Sequence, residues 1–320
     1  MSGSCAVMLN WERLRVTVTG GAGFLGRTVC KKLQERGCLR IDVPRRSEYD
    51  LTVAAGVEAM YNDLQPDVLL HLAAEVGGIG ANRTSPGRFF YANLAMGLHL
   101  IEQARLRNLR KFVQVGTVCA YPKNASVPFR EEELWNGFPE ETNAPYGVAK
   151  KALFVMLDAY RQQYGMRSAI VVPVNLYGPH DNFNPETSHV IPALIRKCIE
   201  ARLQQRPFIT CWGSGKASRE FLYVDDAAEG VLRAAETLDA PVPINLGTGQ
   251  ERSIRELVRQ IARACQFHGE VQWDVNQPDG QPRRCLDISR AQQILEWKPE
   301  TSFEEGLRRT VSWYEEEILT

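Results

Sequence analysis

The segment LRVTVTGGAGFLGRTVCKKLQERG, residues 14–37, constrains the fold of this chain more than any other stretch. A β-branched run over Leu14–Thr19 ends in glycines and passes at once into a helical pattern that stops at Gly37. Gly20, Gly23 and Gly26 recur at a spacing of three. Glycine at such positions permits the tight turn, lets backbone N–H groups approach a pyrophosphate, and lets the helix pack closely on the strand. The order strand, glycine turn, helix favours a dinucleotide site over a ligand-free turn. Gly21, Phe24 and Leu25 share that turn and join the same candidate site.

A second strand, CLRIDV, follows. Apolar runs at DVLLHLAA, KFVQVGT and SAIVVPV then alternate with helix-like segments such as FFYANLAMGLHLIEQARLRN and AKKALFVMLDAYRQQYG. Strands alternating with helices imply a parallel sheet covered on both faces, an α/β Rossmann-type doubly wound fold. Beyond about residue 175 the alternation fades, PINLGTG supplies one more short strand, and the tail from Ser253 reads as helices around EVQWDV. The expected organisation is a cofactor domain over 1–175 with a return segment at 221–248. A smaller C-terminal substrate lobe takes 176–220 and 249–320, at the carboxyl ends of the strands where such sheets bind ligands.

Composition excludes several classes. Lys+Arg and Asp+Glu both count 38, without the basic excess of a nucleic-acid or anionic-membrane binder. No apolar run approaches the ~20 residues of a membrane span. The N-terminus has no secretory h-region. The eight cysteines form no C-x-x-C pair and lack histidines at zinc spacing, so the expectation is reduced thiols, no metal and a cytoplasmic location.

Asp42 lies 22 residues after Gly20, where an acid binds the ribose hydroxyls of NAD. The chain continues as VPRR, and Arg45 and Arg46 suit a 2′-phosphate, so the pattern leans to NADP. In PYGVAKKALF, Tyr146 and Lys150 stand four apart and share a helix face. An ammonium beside a phenol lowers its pKa and makes the tyrosine a usable proton donor or acceptor. Thr117, just after KFVQVG at the carboxyl edge of a strand, could hydrogen-bond the same substrate carbonyl oxygen as Tyr146. The segment NLYGPHDNFNPETSHVIPALIRK crowds His180, Asp181, Asn182, Asn184 and His189 between apolar runs, as a loop kept for chemistry does.

With these residues in place, the chain resembles the extended short-chain dehydrogenase/reductase superfamily and, within it, the GDP-L-fucose synthase family. HLAAEVGGIGAN, CAYP, NLYGPHDNFNPETSHVIPAL and WGSGKASREFLYVDD carry that resemblance along nearly the whole chain. It implies a reductase triad of Thr117, Tyr146 and Lys150, with threonine where many members have serine. It also implies NADPH as cofactor, Arg46 at its 2′-phosphate, and Asn175, Lys150 and His189 beside it. Cys119 and His189 match the base and acid that invert C3 and C5 of the sugar. A thiol near neutral pKa is a plausible carbon base, and histidine titrates close to working pH. Read without the resemblance, Cys119 is a small buried hydrophobe and His189 a helix N-terminal residue. Lys197, Trp212, Arg219 and Asp279 match contacts to the GDP-sugar, and Arg283 and Arg284 stand between diphosphate contacts and surface charge. The resemblance further implies a homodimer through the two long helices, and a disordered N-terminal leader. A reductase or epimerase of another GDP-4-keto sugar, such as a heptose, stays open at this point. So does a non-catalytic NADP-sensing protein, although such a protein has no need of an intact triad.

Overall fold

A computed structural model describes residues 9–77, 79–277 and 280–318, so the expected N-terminal leader, at residues 1–8, lies outside the described residues. In the first half, strands β1 (Arg15–Thr19), β2 (Arg40–Asp42), β3 (Val68–His71), β4 (Lys111–Val115) and β5 (Ser168–Pro173) alternate with helices. These are α1 (Phe24–Glu35), α2 (Ala54–Leu64), α3 (Ile79–Thr84), α4 (Pro86–Leu106) and α5 (Ala144–Tyr164). The chain continues through β6 (Asn175–Tyr177), α6 (Val190–Leu203), β7 (Phe208–Trp212), β8 (Ser218–Arg219), β9 (Phe221–Tyr223), α7 (Val224–Thr237) and β10 (Pro243–Leu246). It closes with β11 (Arg252–Ser253), α8 (Ile254–Ala264), β12 (Glu270–Asp274), α9 (Ser289–Ile294) and α10 (Phe303–Ile318).

Six of these strands form one parallel sheet in the order β10-β5-β4-β3-β1-β2. Its inner strands are buried at consecutive positions, as Val68, Leu69 and Leu70 of β3 show by all being fully buried. That pattern belongs to a sheet covered on both faces. The chain winds outward from β1 to β2, then returns through β3 to the other side. The crevice at the carboxyl ends beside β1 and β3 is therefore the switch point where ligands bind. Helices α4 and α5 pack closely, because a Cβ at Gly97 would meet the Leu153 side chain at 2.2 Å. No described helix is long and apolar enough to cross a membrane.

Apolar side chains gather in two cores. One surrounds the sheet and takes in Leu295 and Trp297 from beyond α9. The other joins Tyr177, Ile195, Ile209, Ile261, Phe303 and Leu307 from β6, α6, β7, α8 and α10. Glu220, fully buried between β8 and β9, links the pieces. Its Oε1 accepts from the backbone N–H groups of Thr248 and Gly249 (2.7 Å to the latter), and its Oε2 accepts from the Leu286 N–H at 2.7 Å. One carboxylate thus ties the β8–β9 segment to the loop after β10 and to the segment before α9. Glu220→Ala leaves the buried Leu286 N–H and the half-buried Thr248 N–H without their partner, at about 1–3 kcal/mol each. Urea unfolding is expected to show a loss of about 3 kcal/mol or more, with Glu220→Gln losing less; an unchanged midpoint for the alanine variant would count against the clamp.

Candidate active site

The glycine turn closes on itself as its spacing requires. Gly20 adopts φ +74°, and a Cβ there would lie 2.8 Å from the backbone nitrogen of Ala73 after β3. A Cβ at Gly26 would lie 2.1 Å from the Gly20 carbonyl oxygen. Gly23 is the residue before α1, and Phe24 and Leu25 open the helix. The turn is a cradle with its backbone bare, which fits a pyrophosphate at the helix N-terminus. At the end of β2, the exposed Arg46 guanidinium donates to Glu75 at 3.2 Å, and Arg88 donates to the same carboxylate at 2.7 and 2.8 Å. Arg45 contributes its backbone N–H to Glu48. Glu75 went unread in the sequence. The signal was an acid just after β3, two strands from the end of β2, which is visible only once β1 is known to lie between them.

Around the end of β4 the side chains converge. Thr117 follows the strand, and its hydroxyl accepts the Cys119 N–H at 3.2 Å, capping a short 3₁₀ turn over Val118–Ala120. Helix α5 rests directly on that turn, since a Cβ at Gly147 would lie 2.3 Å from the Cys119 carbonyl oxygen. Only glycine lets the helix come so near, and the approach sets the Tyr146 phenol beside Thr117. Lys150, one turn on and 2% exposed, holds its ammonium 6.0 Å from the centroid of the Tyr146 ring.

Burial changes the expected electrostatics. The sequence reading has Lys150 lowering the phenol; instead burial, and secondarily the nearby Cys119 thiol, raise Tyr146 well above its usual value, with the Thr117 hydrogen bond opposing. Burial lowers Lys150 to about 8. Desolvation of a fully enclosed phenol outweighs its neighbours. Tyr146 is therefore a protonated donor at neutral pH, the state that reduction of a ketone requires.

His189 stands immediately before α6, without a side-chain hydrogen bond to the helix end. Its ring reaches solvent, yet the protein packed around it lowers its pKa below the ordinary imidazole value. No hydrogen bond joins it to the Thr117–Lys150 cluster among the described residues. The loop that leads to it is mostly self-supporting. Asp181 accepts from the Asn182 N–H at 2.7 Å, Asn182 from the Asn184 N–H at 3.0 Å, and Asn184 from the Glu186 N–H at 2.9 Å. His180 takes φ +68° and sets its ring 4.8 Å from that of Trp313. Much of the polar crowding that suggested chemistry therefore builds the turns that deliver His189 to the helix end. Asn175 likewise spends its amide on the Glu220 carbonyl at 3.0 Å.

On the second lobe Trp212 is 68% exposed at the end of β7, and the Lys197 ammonium donates to the Thr210 carbonyl at 2.8 Å nearby. Arg219, on β8, donates to the Ser218 carbonyl at 2.7 Å. Asp279 lies outside the described residues. The two adjacent arginines separate. Arg283 is exposed and paired with Glu251 at 3.1 Å, whereas Arg284 is buried and turned toward Cys119.

Residues 16–247 match the NAD dependent epimerase/dehydratase family. The chain is 40% identical over 312 residues to a GDP-L-fucose synthase of Escherichia coli K12, covering 95% of this chain and 97% of the relative. A GDP-L-fucose synthetase of Naegleria fowleri bound to NADP superposes with a TM-score of 0.89 at 27% identity, covering 98% of this chain and 97% of that one. A GDP-6-OMe-4-keto-L-xylo-heptose reductase of C. jejuni superposes at 0.90 with 28% identity, covering 95% and 98%.

Because Lys150 carries its proton only up to about pH 8, any step that needs its ammonium is expected to slow as pH rises through that value. A rate-against-pH profile of NADPH oxidation should fall there with loss of a single proton; a rate that stays level to pH 10 would contradict the assignment.

Proposed function

The chain belongs to the NAD dependent epimerase/dehydratase family, and from that premise we propose that it converts GDP-4-keto-6-deoxy-D-mannose to GDP-L-fucose, inverting C3 and C5 and reducing C4 at the expense of NADPH. One observation carries the reading: a protonated phenol, a buried ammonium and a hydroxyl share one cluster with a thiol. Ketone reduction uses the first three. Proton abstraction from carbon uses the fourth.

Bound NADPH supplies the hydride. The glycine turn holds its pyrophosphate, and Arg46, with Arg45, takes the 2′-phosphate by exchanging the Glu75 carboxylate for it. Asn175, Lys150 and His189 border the nicotinamide half. The GDP end lies against Trp212, Lys197, Arg219 and Asp279. Cys119 removes a proton from a carbon flanking the 4-keto group, whose carbonyl acidifies that C–H, and His189 returns one on the opposite face. Tyr146, oriented by Thr117 and backed by Lys150, then protonates the oxygen at C4. The protein packed around His189 lowers it from the ordinary imidazole value, so its protonated fraction grows on acidification.

Residues 1–175 with 221–248 act as the cofactor domain, and 176–220 with 249–320 as the substrate lobe. The protein works as a homodimer. Tyr91 and Leu98 on α4, and Val155 on α5, are exposed large apolar residues that a second copy would cover. All the described cysteines are free thiols, in keeping with a cytoplasmic enzyme. Reduction of a GDP-4-keto heptose is the second reading, and the C. jejuni reductase supports it through its TM-score of 0.90. The higher identity to a fucose synthase, 40% against 28%, favours the first.

The experiment is incubation in D2O with NMR of the sugar. Cys119→Ser and His189→Asn are expected to cut deuterium entry at C3 and C5 at least ~100-fold, the usual weight of a general acid or base. Tyr146→Phe should admit deuterium but leave C4 unreduced. Full deuterium entry in both of the first two variants would place the proton chemistry elsewhere.

A further inference from the structure

Arg284 is 8% exposed, and its partners among the described residues are neutral side chains. Its Nε and Nη2 both donate to the Gln281 side-chain oxygen, at 3.2 and 3.0 Å. The Gln281 amide in turn donates to the Lys123 carbonyl at 3.0 Å, which anchors the loop to the segment after β4. With those two nitrogens held, Nη1 is left facing the Cys119 sulfur at 3.7 Å. Among the described residues no carboxylate pairs with this guanidinium, unlike Arg283 beside it, which Glu251 neutralises. A buried cation without an anion is costly, and the cost falls when a neighbour can take up negative charge. Among the described residues in contact with Arg284, the group able to do so is the Cys119 thiol.

We propose that Arg284 is the positioning residue of the carbon base, its guanidinium holding the Cys119 sulfur as a thiolate and Gln281 holding the guanidinium. This rests on the reading of Cys119 as the base. The thiolate takes the proton from a carbon next to the 4-keto group and becomes S–H. The C–H electron pair forms the C=C bond as the carbonyl pair moves onto oxygen. A proton delivered to the other face reverses that shift, and the thiol returns its own proton to solvent. Hydrogen bonds to the charged sulfur are stronger than those to the neutral thiol, so the guanidinium favours the state that reacts.

The test uses the full chain with NADP⁺ bound. Alkylation of Cys119 by iodoacetamide is followed against pH, with the modified peptide identified by mass spectrometry, and deuterium entry at C3 and C5 is measured in parallel. Arg284→Met removes the charge and keeps much of the volume. Its alkylation midpoint is expected to move up by about one pH unit or more, and deuterium entry near pH 7 to slow about tenfold, since each unit of midpoint is a tenfold change in thiolate. Arg284→Lys should recover most of both, and NADPH affinity should not change. Gln281→Leu leaves the charge but loosens it, and should fall between; it also carries the test should Arg284→Met fail to fold. An alkylation profile for Arg284→Met or Gln281→Leu that overlays the unmodified protein would overturn the proposal. Full deuterium entry in Cys119→Ser would instead overturn the base assignment, and the alkylation profile would still report whether Arg284 governs the sulfur.

Discussion

The site depends on how closely α5 approaches the backbone that follows β4. Gly147 sits over the Cys119 carbonyl with no room for a Cβ, and that contact fixes the distance between the helix bearing Tyr146 and Lys150 and the turn bearing Thr117 and Cys119. The cluster is held by backbone rather than by flexible side chains. Catalytic groups need placement to within a fraction of an ångström, and rigid elements give it better than loops do. The same approach encloses the phenol and the ammonium, so the geometry and the electrostatics have one cause. Enclosure keeps Tyr146 protonated and brings Lys150 down to about 8, which sets a donor beside a group able to lose its proton in turn.

Local features were legible in the sequence. The glycine turn follows from three residues at fixed spacing, and its bare backbone is visible in the contacts a Cβ would make at Gly20 and Gly26. Tyr146 and Lys150 could be paired because a helix brings i and i+4 together wherever it lies. Alternating strands and helices were enough to expect the parallel sheet, since a strand–helix–strand order places successive strands side by side in one direction. What could not be read is what tertiary docking decides. Two consecutive arginines look alike in sequence, but the bridge of Gln281 to Lys123 turns Arg284 inward and leaves Arg283 to Glu251. The sign of the Tyr146 shift was likewise hidden, because burial is a property of the whole neighbourhood.

The loop before α6 shows how composition can mislead and still point to the right place. Its Asp and Asn residues satisfy successive backbone N–H groups at 2.7 to 3.0 Å, so they are turn builders. Their product is a fixed path that ends with His189 at the helix N-terminus. Glu220 plays a comparable part on a larger scale, since a single buried carboxylate joins three chain segments that lie far apart in the sequence. Reductase and epimerase chemistry on one scaffold thus rests on a few polar contacts at the seam between the two cores.

The most direct measurement is product analysis with the unmodified protein. GDP-4-keto-6-deoxy-D-mannose and NADPH are incubated with it, NADPH oxidation is followed, and the sugar is identified by NMR. GDP-L-fucose formed in step with NADPH oxidation is the expected outcome, since thiol, imidazole and phenol would then all have acted on one substrate. NADPH oxidation that yields a sugar reduced at C4 with C3 and C5 uninverted, or no oxidation at all, would contradict it.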